Sequence, residues 1–106
     1  MAQFCAYQNL NPATRAEFPY LLDVQSDLFE QLRTTLVVPL CPSESVARMK
    51  FSVMNPAIEI QGDLYTARIQ EMAGIDRAHL GPEICRLAHY GSQIVDALDF
   101  LIMAYR

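Results

Sequence analysis

Tryptophan is absent from this 106-residue chain, glycine occurs only four times, and Lys50 is the only lysine. Eight basic residues stand against twelve acidic ones, giving a net charge of -4. That balance excludes an extended basic surface, because nucleic-acid binding rests on clustered Lys and Arg that neutralise phosphates. No apolar run approaches the roughly 18 to 20 residues that span a bilayer. Met1 to Phe4 lacks the charged leader and apolar stretch of a secretory signal, so the expected compartment is the cytoplasm. Three cysteines, Cys5, Cys41 and Cys85, are an odd number set far apart, which implies free thiols in a reducing compartment. Charged residues make up 19% and hydrophobic ones 52%, a composition that buries a core and excludes disorder. The length suits one domain over residues 1–106.

What is present reads as short strands followed by a helix, an α+β pattern. Gln3 to Tyr7 alternates and predicts a first strand, and residues 9–19 carry the turn chemistry of an exposed loop. Tyr20, Leu22 and Val24 predict a second strand. Leu36, Val38 and Leu40 predict a third, over Arg33 to Leu40, with Pro39 and Pro42 ending it. Ser43 to Met49 predicts a short helical turn. Ala57 to Ile60, Gln61-Gly62-Asp63 and Leu64 to Ile69 predict a hairpin, since Gly62 takes the positive φ of a tight turn. Gly74 marks a further bend, and Ile75 to Leu80 a further short strand. From Pro82 the period changes, predicting a turn at 83–89 and a helix from Ser92, its N-cap, to Ala104.

Phe100 to Tyr105 is an unbroken apolar run, so the helix that carries it is apolar around its whole circumference at that end. A domain this small cannot cover every side of such a helix. Either it docks fully on its own sheet, or a partner covers the remainder.

Several strings, in order, resemble the CcdB family of bacterial toxins. They are Gln3-Phe4-Cys5-Ala6-Tyr7, Leu22-Asp23-Val24-Gln25-Ser26-Asp27, Leu36-Val37-Val38-Pro39-Leu40, Asn55-Pro56-Ala57-Ile58-Glu59-Ile60 and Met72-Ala73. Leu80-Gly81, Leu87, His89, Ile94 and Ala97-Leu98-Asp99-Phe100-Leu101 follow. The resemblance implies a mostly antiparallel SH3-like barrel of CcdB/MazF type, a small second sheet and a C-terminal helix. It implies a homodimer that inhibits DNA gyrase, a topoisomerase, by binding the gyrase A subunit, without being an enzyme and without a metal or cofactor. It also implies a cognate antitoxin whose disordered segment folds on the toxin, the complex acting as transcriptional repressor of its own operon. Operator DNA is then reached only through that complex. Gyrase contacts carried over by position fall on Met103, Ala104 and Tyr105, with Asp99 and Ile102 on the helix and Leu28 and Phe29 after the D-V-Q-S-D run. Where the family ends in Trp-Gly-Ile or Gly-Ile, this chain has Met103-Ala104-Tyr105 and then Arg106. Two alternatives stand beside this reading: a relative that binds antitoxin without poisoning gyrase, and an endoribonuclease like the MazF and Kid toxins of the same barrel.

Other reactive residues read plainly. Cys85 and His89 have a one-face helical spacing but no further ligand pair nearby. Asp23 and Asp27 fit caps of the turn at Ser26, facing water. His79, Asp96 and Asp99 fit a solvated surface, and His89 a hydrogen-bonding role before the helix.

Overall fold

A computed structural model describes residues 3–43 and 54–103. Among the described residues, seven strands form one antiparallel sheet in the order β4-β5-β3-β2-β1-β7, with β6 also on β3. They are β1 (Cys5–Asn9), β2 (Tyr20–Asp23), β3 (Thr34–Pro42), β4 (Ala57–Ile60), β5 (Asp63–Ala67), β6 (Ala73–Asp76) and β7 (Leu80–Arg86). One helix, α1 (Gly91–Met103), follows. The sheet curls into a half-barrel with α1 packed on the face of Ala6, Leu22 and Val38, the expected α+β barrel with a C-terminal helix.

β3 is long enough to hold two partners along one edge. Thr34 to Val37 pair with β6, whereas Leu40 to Pro42 pair with β5. The β4–β5 hairpin therefore continues the same sheet from that end of β3, and the small second sheet implied by the resemblance is part of it. The hairpin turn is Gln61 and Gly62, at φ of 54° and 87°, the positive pair that a two-residue hairpin matching strand twist requires.

Strand alternation sends two sets of side chains to opposite faces. Ala6, Leu22, Val38 and Leu40 point into the core with Ile58, Ile60, Ile69 and Leu87. Ile94 and Ala97 of α1, both fully buried, close that core from above. Burying an isoleucine in this way contributes about 1.5–3 kcal/mol. Cys5, Tyr7, Asp23, Thr35 and Val37 occupy the other face, also buried.

Several sequence expectations shift. The first strand starts two residues later, at Cys5, because Phe4 adopts φ 65° and donates its N–H to the Asp23 carbonyl at 2.6 Å. β3 runs through Pro39 to Pro42 instead of ending there; Pro39 still serves the sheet through its carbonyl, which accepts from Arg68 N at 3.0 Å. Gly74 lies inside β6, opposite Leu36, and is no bend. Residues 77–79 form a 3-10 turn in place of a strand, capped by Asp76, whose carboxylate accepts from Ala78 N.

Leu80 to Arg86 form β7, Pro82 included, where a turn was expected from 83; β7 is an edge strand paired only with β1, where a proline's missing N–H is tolerated. Helix α1 begins at Gly91, straight out of the 3-10 turn Ala88–Tyr90, so Ser92 lies within the first turn and is no cap. The position of Gly91 is fixed by packing, since a Cβ there would stand 3.0 Å from Phe4 Cε2. The expected turn at 43–49 falls largely outside the described residues, as do Ala104, Tyr105 and Arg106. No helix among the described residues is long and apolar enough to cross a membrane.

Candidate functional site

Helix α1 buries Gly91, Ile94 and Ala97 and half-buries Leu98 and Leu101, a stripe at three- and four-residue steps. Its last turn is different. Phe100, Ile102 and Met103 remain 37%, 60% and 43% exposed, with Asp99 and Asp96 in water beside them. The helix is thus docked along its inner side and uncovered at its end. Of the residues expected to contact a target, Asp99, Ile102 and Met103 are accessible on this turn.

Leu28 and Phe29 are accessible too, at 86% and 52%, and Leu32 joins them at 51%. They sit in the β2–β3 connection, whose 3-10 turn Asp27–Phe29 is capped by Ser26: its hydroxyl accepts from Leu28 N at 3.2 Å. Asp27 accepts from Gln3 N at 2.8 Å. The connection is fastened to the sheet face that Asp23 occupies, while α1 covers the face of Leu22. A single chain therefore presents two separate apolar groups and does not join them. Leu32 was missed in the sequence; an isolated leucine in a polar loop gives no periodic signal.

Asp23 was expected to face water, but only 2% of it is exposed. Its Oδ1 accepts from Gln25 N at 3.1 Å and from the Thr35 hydroxyl at 2.8 Å, and Arg77 Nη1 lies 3.9 Å from Oδ2. Burial nevertheless dominates and pushes its pKa above the ordinary carboxylate value. Tyr20 to Asp23 alternates with no polar break before the aspartate, so burial was legible there only as strand continuity.

A concavity of about 590 Å³ opens on the Asp23 side of the sheet. Leu21, Val37 and Pro39 floor it, Phe18 and the 9–14 loop form one wall, and Ala73, Ile75, Glu71 and His79 the other. Arg68 stands at its margin, ion-paired with Glu71 and lying over the Phe18 ring at 5.9 Å. Glu71 and His79 place a carboxylate and an imidazole on a groove otherwise lined by apolar side chains and by Asn9, Asn11 and Thr14. No local pattern marks this grouping, since Phe18, Glu71 and His79 come together only through the sheet.

The remaining candidates separate. Cys85 lies in β7 and His89 in the turn before α1, so their four-residue spacing is not helical. His89 packs its ring on Tyr90 at 4.4 Å between centroids, and Tyr90 accepts from Glu59 N. Cys5 and Cys85 are neighbours across β1 and β7 yet point to opposite faces, because Cys85 pairs with Ala6 and Cys5 with Arg86. Burial, and then the charge of Glu83, raises both thiol pKa values, which disfavours the nucleophilic thiolate.

The fold is similar to a solved mycobacterial endoribonuclease in complex with its cognate antitoxin. The TM-score is 0.75 at 12% identity, over 96% of this chain and 94% of that one. The expectation that the chain is not an enzyme is overturned by this likeness. A net charge of -4 describes the whole surface and says little of one groove, and a protein of similar fold is an endoribonuclease. No curated protein matches the chain in sequence. The sequence model of the CcdB protein family matches residues 3–104, that is, nearly every residue from the first strand to the end of the helix, and the chain belongs to the CcdB family.

Proposed function

We propose that this chain is the toxin of a toxin–antitoxin pair and that it inhibits DNA gyrase by binding the gyrase A subunit. The observation that carries the reading is the uncovered end of α1, where Phe100, Ile102 and Met103 stand in water on a helix whose inner side is buried. Covering such a patch is worth about 25 cal/mol per Å² removed from water, and neighbouring apolar residues of this size mark an interaction surface. Asp99 beside them offers carboxylate oxygens to a basic group on the target. Leu28 and Phe29 supply a second contact group, and a homodimer brings two copies of each to one target. A cognate antitoxin that covers these residues neutralises the toxin. With -4 net charge, the chain meets operator DNA only through that antitoxin.

A second reading, RNA cleavage, is favoured by the likeness to the mycobacterial endoribonuclease and by the groove that Glu71 and His79 line. One pair of assays separates the two. The first reading predicts that micromolar protein blocks plasmid supercoiling by gyrase and leaves bulk RNA intact. Fragmented RNA in metal-free buffer with gyrase unaffected establishes the second. Neither effect, with antitoxin still bound, identifies a relative that has kept only its antitoxin.

A further inference from the structure

We propose that Arg77 is the positioning residue of the apolar β2–β3 connection, fixing the conformation in which Leu28 and Phe29 are offered to a target. The inference rests on the reading that those two side chains contact the target.

None of residues 27–33 is buried, so no side chain anchors this connection in the core. Its own hydrogen bonds are short in range: Phe29 N to Ser26 O at 3.0 Å, Glu30 N to Asp27 O at 3.1 Å and Leu32 N to Phe29 O at 3.0 Å. Such bonds close turns without fastening the turns to the sheet. At the start of the connection Asp27 is tied to Gln3 N at 2.8 Å, and Arg77 fastens the rest. Its side chain is only 16% exposed; Nε donates to Leu32 O at 2.7 Å and Nη2 to Phe29 O at 3.1 Å. Its third nitrogen, Nη1, faces the buried Asp23 carboxylate at 3.9 Å. A backbone bond from Arg77 N to Arg33 O at 2.9 Å and a side-chain pair, Arg33 Nη1 donating to Asp76 Oδ2 at 2.9 Å, repeat the clasp.

A guanidinium is a rigid planar fork, so one side chain holds two carbonyls in a fixed relation while its charge stays opposite Asp23. Those carbonyls belong to Phe29 itself and to Leu32, two of the three exposed apolar residues of the connection. Lysine keeps the charge but presents a single compact head that cannot span both.

Two measurements on the full chain test this. In amide hydrogen exchange, Arg77→Ala is expected to speed exchange at Phe29, Glu30 and Leu32 by about 10-fold or more, with Leu22 and Val38 unchanged and Arg77→Lys intermediate. Unchanged exchange in the connection, or equal acceleration throughout the sheet, overturns the proposal. In binding to the gyrase A subunit, Arg77→Ala is expected to weaken affinity about 10-fold in the native loop and not at all in a Leu28→Ala/Phe29→Ala background. Equal losses in both backgrounds overturn it. A wild-type chain without affinity for gyrase A defeats the target reading alone, and the exchange experiment then decides the role of Arg77 by itself.

Discussion

Thr35 donates its hydroxyl to the Asp23 carboxylate at 2.8 Å, across the β2–β3 pair and on the sheet face away from the helix. A buried carboxylate held this way has consequences for stability. Burial raises the pKa of Asp23 in the folded state, so between the ordinary carboxylate value and that raised value the folded chain binds more protons than the unfolded one. Stability is therefore expected to fall as pH rises through that window. Asp23→Asn keeps an acceptor for Thr35 and cannot ionise. The difference in stability between wild type and Asp23→Asn, measured by urea denaturation across the acid range, should follow this slope. Asp76 works oppositely, since the Ala78 N–H and Arg33 lower its pKa, and it is common to both proteins and cancels.

The two sides of α1 should respond differently to the same truncation. Ile94 is fully buried in the core, and Ile94→Ala is expected to cost about 2–5 kcal/mol through lost burial and the cavity left behind. Ile102 is 60% exposed, and Ile102→Ala should stay within about 0.5 kcal/mol of wild type. Thermal melts of the pair check this.

Glycine positions offer a third contrast. A Cβ at Gly81 would stand 2.8 Å from the Gln8 carbonyl oxygen, a backbone atom that cannot step aside without disturbing the β1–β7 pairing. Gly81→Ala is expected to destabilise by about 1–3 kcal/mol. At Gly74 nothing lies within 4 Å of that position, so Gly74→Ala should fold with nearly native stability. Calorimetric midpoints of the two variants make the comparison.

Much of the fold was legible in the sequence where period and turn chemistry agree. The β4–β5 hairpin follows from alternating Ile58 and Ile60 followed by Gln61-Gly62, and the inward stripe of buried Ile94 and half-buried Leu98 and Leu101 follows from helical steps. The stretch from Gly74 to Leu87 was harder to read. Apart from Leu87 its residues are half-buried or exposed, so apolar spacing is weak, and Pro82 suggests an ending where an edge strand tolerates it. The site was legible in part. A continuous apolar run announced the end of α1, whereas the groove of Phe18, Glu71 and His79 and the clasp of Arg77 arise from pairings between distant segments that no local pattern records.

The most direct test of the account is equilibrium binding between the purified chain and the dimerisation region of the gyrase A subunit, wild type against Ile102→Asp. Placing a carboxylate on the uncovered end of α1 should leave the melting temperature unchanged and weaken binding by at least about 10-fold, as loss of a central apolar contact does. Absence of binding by the wild type, or equal binding by both proteins, would contradict the claim that this helix end is the surface the toxin offers to gyrase.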